Sequence, residues 1–90
     1  MLSIRAAGLI LRVLHWILND RIHDDVLRPH GELDKDEARR VLFAPAGLVN
    51  YSKDEHKEEA AEAEGMLERA TPEDKDKLLS QAIRRVHNTR

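Results

Sequence analysis

Apolar and polar positions divide the chain into four helical stretches. Over 2–27 the apolar residues are so frequent that the polar ones are easier to follow: Arg5, Arg12, His15, Asn19 and His23 recur at steps of seven, three, four and four. That spacing lays one narrow polar stripe on a helix that is apolar around the rest of its circumference. After a link containing Arg28, Pro29, His30 and Gly31, a second helix is expected over 34–44. Asp34 and Glu37 have capping-box spacing, Ala38, Val41 and Leu42 form one small apolar face, and Pro45 stops the helix near Ala44.

The connection from Phe43 to Tyr51 is unusually apolar, so it is expected to pack onto the core or onto a partner. Ser52 and Glu55 suggest another capping box, opening a third helix over 52–70 whose inward positions, Ala60, Ala63, Met66, Leu67 and Ala70, are mostly small. Gly65 lies four residues after Ala61 and costs about 1 kcal/mol relative to alanine in a helix interior. Either a close helix approach at Ala61 and Gly65 compensates, or the helix breaks there. Thr71, Pro72, Glu73 and Asp74 combine an N-cap, a proline at the first helical position and acids in the first turn, marking a fourth helix over 72–88. Leu78, Leu79, Ala82, Ile83 and Val86 supply its apolar face. No stretch alternates with period two, so the expectation is an all-α fold: a small bundle of three to four helices forming a single domain over 1–90.

The net charge of −2 conceals a segregation of charge. Residues 1–18 carry Arg5 and Arg12 and no acid. Between Lys53 and Arg69 seven acids face three bases, with like charges four apart, as at Glu58 and Glu62, that weaken an isolated helix. From Lys77 to Arg90 the chain is purely basic, with Arg84, Arg85 and Arg90 prominent.

Residue types narrow the chemistry. With no cysteine there is no thiolate nucleophile and no cysteine-based metal site. One Trp, one Tyr and one Phe are too few for an aromatic-lined pocket. His15 and His23 sit about 12 Å apart along a helix, too far for one ion. Asp20 and His23 could form half of a carboxylate–histidine site, but no Glu-x-x-His motif supplies the other half. Ser52 reads as a cap, Ser3 and Ser80 lack an activating motif, and the four glycines form no phosphate-binding loop. The expectation is a non-enzymatic protein without cofactor or metal.

What remains is an apolar surplus on the first helix that a single chain of this length is not expected to cover. That helix is therefore expected to lie largely in an interface, with Leu9, Val13, Leu14, Trp16, Ile17, Leu18, Phe43, Leu48 and Tyr51 as contact residues. The reading is a protein–protein interaction or assembly subunit, a homo-oligomer or an accessory piece of a hetero-complex, in the cytoplasm. One alternative is a nucleic-acid-associated regulator using Arg84, Arg85 and Arg90, which the neighbouring acidic helix opposes. Another is a peripheral membrane or organellar-complex subunit anchored by the first helix, whose acid-free, Arg-bearing start resembles a mitochondrial targeting segment. Arg5, Arg12 and His15 interrupt that helix as a membrane span.

Overall fold

Ser3 opens the first helix, α1 (Ile4–Asp20): its hydroxyl accepts the Ala6 N–H at 3.0 Å. A serine standing directly before an apolar run is a common start signal. The structure, a computed structural model, describes residues 2–21, Leu27 and 33–88. Within these, α1 ends at Asp20, and the Arg21 N–H closes the last turn on the Ile17 carbonyl at 2.8 Å. The expected continuation to 27, with His23, lies outside the described residues except for Leu27, which is a buried turn residue.

Helix α2 (Lys35–Leu42) starts where its capping signal places it. The Asp34 carboxylate accepts the N–H groups of Asp36 and Glu37 at 2.9 and 3.2 Å. The reciprocal half of the box is not made: Glu37 pairs with Arg40, and the Asp34 N–H donates to the Leu27 carbonyl at 2.8 Å. Helix α5 (Pro72–Asn88) likewise begins at its sequence signal, with the Thr71 hydroxyl accepting the Asp74 N–H at 3.1 Å. Asp76 joins the two helices, accepting from Arg39 at 2.5 Å and from Lys35 at 3.2 Å. Arg39 first, and Lys35 after it, hold the Asp76 carboxyl below the usual carboxylate range.

The apolar connection is itself partly helical, and this corrects the expected start of the third long helix. Residues Gly47–Tyr51 form a short helix, α3, and Ser52 ends it, donating its hydroxyl to the Leu48 carbonyl at 2.6 Å. Ser52 is therefore not the N-cap of the next long helix. A single 3-10 turn (Asp54–His56) intervenes, and α4 runs Lys57–Leu67, shorter than the expected 52–70. The physical reason is that α3 leaves end groups to be satisfied. Lys57 donates to the carbonyls of Val49 at 2.6 Å and Ser52 at 3.1 Å, while Glu64 accepts the Val49 N–H at 3.0 Å. Arg21 adds a bond from its side chain to the Tyr51 carbonyl at 3.3 Å.

The larger correction concerns α1. It packs against both α5 and α4, and its apolar residues are covered by the chain itself. Ile10, Leu11, Val13, Leu14, Ile17 and Leu18 are buried in one core with Ala38 and Leu42 of α2, Leu48 of α3, Ala60 and Ala63 of α4 and Leu78, Leu79, Ala82 and Val86 of α5. Among the described residues Ile4, 94% exposed, is the single large apolar side chain left open. Among the described residues, then, most of the apolar surface of this helix is covered within the chain. Alanines at the contact positions of α4 and α5 let the helix axes come close, so backbone and side-chain stems exclude water where the sequence offers little apolar bulk.

The small residues on the outer side of α4 also read differently. Ala61 and Gly65 are both exposed, and a Cβ built on Gly65 meets nothing within 4 Å. No close approach within the chain explains Gly65, and the helix, expected to run to 70, ends at Leu67, two residues beyond it. Gly65→Ala is therefore expected to raise stability by about 0.5–1 kcal/mol, read as a higher urea midpoint at unchanged slope. A lower midpoint would mean that the glycine answers a steric need inside the chain.

Candidate functional site

The polar stripe of α1 and the last turns of α5 meet along one edge of the bundle. There Gly8, Arg12 and His15 from α1 and Arg85 and Asn88 from α5 line an open groove of about 460 Å³. A smaller depression of about 290 Å³ adjoins it along α5, lined by Gln81 and Arg84 together with Arg85 and Asn88. Arg12, Arg84, Arg85 and Asn88 are exposed, and His15 is half-buried with its Nδ1 turned inward, where no hydrogen-bonding partner reaches it.

The residues that line this edge include three arginines and no acid. Lys35, Arg39, Arg40 and Lys53 are each matched by a carboxylate. Among the described residues Arg12, Arg84 and Arg85 make no ion pair, which is equally true of Arg5, Arg21, Lys57, Arg69, Lys75 and Lys77, so what marks this edge is that Arg12 and Arg85 line one groove from two helices. Arg12 instead lies over the Trp16 ring, 5.5 Å from its centroid. Trp16 in turn stacks on His56 of the 3-10 turn, with ring centroids 3.9 Å apart and planes 17° from parallel. A guanidinium resting on an indole gives up little hydration and is held ready for an anion. Two guanidinium groups on neighbouring helices offer forked donors that suit carboxylates.

The contact residues expected from sequence separate into two groups. Val13, Leu14, Ile17, Leu18 and Leu48 are core residues and present no surface. Leu9, Trp16, Phe43 and Tyr51 are half-buried and packed against that core. Phe43 borders a separate cavity of about 250 Å³ beside the α2–α3 turn, which Glu64, Glu68 and Lys75 close from the other side. Of the basic residues, Arg84 and Arg85 belong to the groove edge, and Arg90 lies outside the described residues.

Gly8, Arg12, His15 and Asn88 were not expected at a site. The recurrence of Arg12 and His15 on one stripe was visible, but nothing local in the sequence shows that α5 brings Arg85 alongside them. Asp20, the described half of the carboxylate–histidine pair, makes an ion pair with Lys53 at 3.4 Å, and His23 lies outside the described residues. Among the described residues no three histidine or acidic side chains gather as metal ligands, and no helix is long and apolar enough to cross a membrane. Comparison with family models, curated proteins and solved structures finds no match for the chain.

Proposed function

We propose that the protein is a non-enzymatic interaction module that docks an acidic segment of a protein partner in the cationic groove between α1 and α5. One observation carries this reading: Arg12 and Arg85, on different helices, converge on one groove without a carboxylate partner among the described residues. Exposed cations of this kind raise association rate and select partners by charge. The apolar core of α1 takes no part in docking; its role is to place Arg12 and His15 beside α5.

An acidic peptide fits better than nucleic acid. Arg12 lies over Trp16, Trp16 stacks on His56 and the Glu55 carboxylate lies 3.6 Å from His56, with Glu58 and Glu62 following in sequence on α4. At physiological ionic strength charges act over about 8 Å. A duplex carrying one charge per roughly 1.7 Å would run from the groove into these acids. A carboxylate-bearing protein segment brings fewer charges against them than a duplex does.

The test is fluorescence anisotropy of a labelled oligoglutamate peptide and of labelled duplex DNA, each titrated with the protein at low and at high salt. The peptide is expected to bind in a salt-sensitive manner, and Arg12→Glu/Arg85→Glu is expected to weaken it about tenfold or more. Tighter binding of the duplex than of the peptide would replace this reading with nucleic-acid recognition. Equal peptide binding by wild type and variant would rule out the groove as the docking site.

A further inference from the structure

Two helical glycines answer no steric need within the chain: Gly8 lies inside α1, and Gly65 lies in the last turn of α4, two residues before its end. Gly8 of α1 and Gly65 of α4 are both exposed, and a Cβ at either would meet nothing within 4 Å. Each loosens its helix relative to alanine, without a contact inside the molecule that requires it. Their positions differ in one respect that matters: Gly8 lines the cationic groove, whereas Gly65 lies on the outer face of α4 among exposed acids.

That outer face is built from Glu58, Ala61, Glu62 and Gly65, which are neighbours at helical spacings of three and four. All four are exposed, and among the described residues neither Glu58 nor Glu62 makes an ion pair. Glu58 and Glu62 repel each other one turn apart, so the helix carries an uncompensated charge together with an uncompensated glycine. The chain thus presents two surfaces of opposite sign, and on each a residue without a side chain allows another backbone to come close.

We propose that the acidic segment taken by the groove belongs to a second copy of this chain, whose α4 face docks between α1 and α5 with Gly65 and Ala61 set against Gly8. This rests on the reading of the groove as a docking site for an acidic protein segment, and it names the partner. Glu58 and Glu62 of the docked helix meet Arg12 and Arg85, so each surface supplies the charge the other lacks. The contact is heterologous: a copy that fills its neighbour's groove keeps its own groove free. Such contacts close into a ring or continue as a chain of copies.

The experiment is the molar mass of the full chain by size exclusion with light scattering, across protein concentration at low and high salt. Mass is expected to rise with concentration at low salt and to fall to that of one chain at high salt. Gly8→Leu blocks the groove and Gly65→Leu blocks the α4 face; circular dichroism checks that both fold, as the open space at each site predicts. Each variant alone is expected to associate about tenfold less tightly or worse, as when extra methylenes enter a contact with no room for them. An equimolar mixture is expected to give a one-to-one complex, since the open face of the first fits the open groove of the second. A wild-type mass of one chain at every concentration and salt overturns the proposal, as does unchanged self-association of either variant. If that monomer still binds oligoglutamate through Arg12 and Arg85, self-docking alone falls; if it binds neither, the groove falls with it.

Discussion

Replacing Leu14 by alanine is expected to cost about 2–5 kcal/mol, the range for emptying a leucine site in a close-packed core. For a chain of 90 residues, whose total stability is roughly 5–13 kcal/mol at typical values per residue, that is a large fraction. Leu14 is fully buried between Ile10 and Leu18, one turn away on either side, on the helix that both α4 and α5 cover. Its neighbours are held by three helices and collapse only partly into the space. The change is read as a drop in the urea midpoint and, near the upper end of the range, as loss of helical signal at room temperature. The dependence on protein concentration decides where Leu14 sits. A core residue of one chain gives the same loss at every concentration, whereas an interface residue gives a loss that shrinks as association is driven by mass action. Leu9→Ala, at a half-buried position on the same helix, is the control and is expected to cost far less.

This contrast also shows what the sequence could and could not reveal. Signals confined to a few neighbouring residues were read correctly where one partner was available to them: Asp34 caps α2 and Thr71 caps α5 because each side chain reaches N–H groups two or three residues ahead. Ser52 has the same local pattern, yet its hydroxyl turns back to Leu48, because a helix inside the apolar connection competes for it. Of the side-chain bonds that hold α3, those of Ser52 and Lys57 are near in sequence but those of Arg21 and Glu64 are not, so no short window around Gly47–Tyr51 contains the whole reason that it folds.

The expected apolar surplus is absent for a related reason. Counting large residues treats the alanines of α4 and α5 as poor cover, but burial depends on how near the backbones come, and alanine permits a close approach. The groove was legible only by halves. Arg12 and His15 stand on one stripe and Arg84 and Arg85 on another, and their union depends on the packing of α1 against α5. What composition did convey was the separation of charge along the chain, which survives in the structure as a cationic edge and an acidic helix face.

The second large effect is expected at Gly47, where alanine should destabilise the fold by about 3 kcal/mol or more. Gly47 begins α3 and is buried, and it comes directly after Ala46, whose φ of 60° and ψ of 16° place it in the left-handed region. That conformation costs a residue with a Cβ about 1–2 kcal/mol, so the turn is already strained before Gly47 is changed. The strain reverses the chain within a few residues and lays the backbone of Gly47 directly on the end of α2. A Cβ at Gly47 would lie 2.7 Å from the carbonyl carbon of Leu42 and closer still to the carbonyl oxygens of Val41 and Leu42. Those atoms belong to the last turn of a helix and cannot rotate aside as a flexible side chain would. Relief requires α3 to lift away, which withdraws Leu48 from the core and strains the bonds that Lys57 and Glu64 make to Val49. Gly47→Ala is therefore expected to lower the urea midpoint steeply, in opposite direction to the same substitution at Gly65. Equal and small effects at the two positions would show that the α2–α3 turn has room to move and that Gly47 is not what holds α3 against α2.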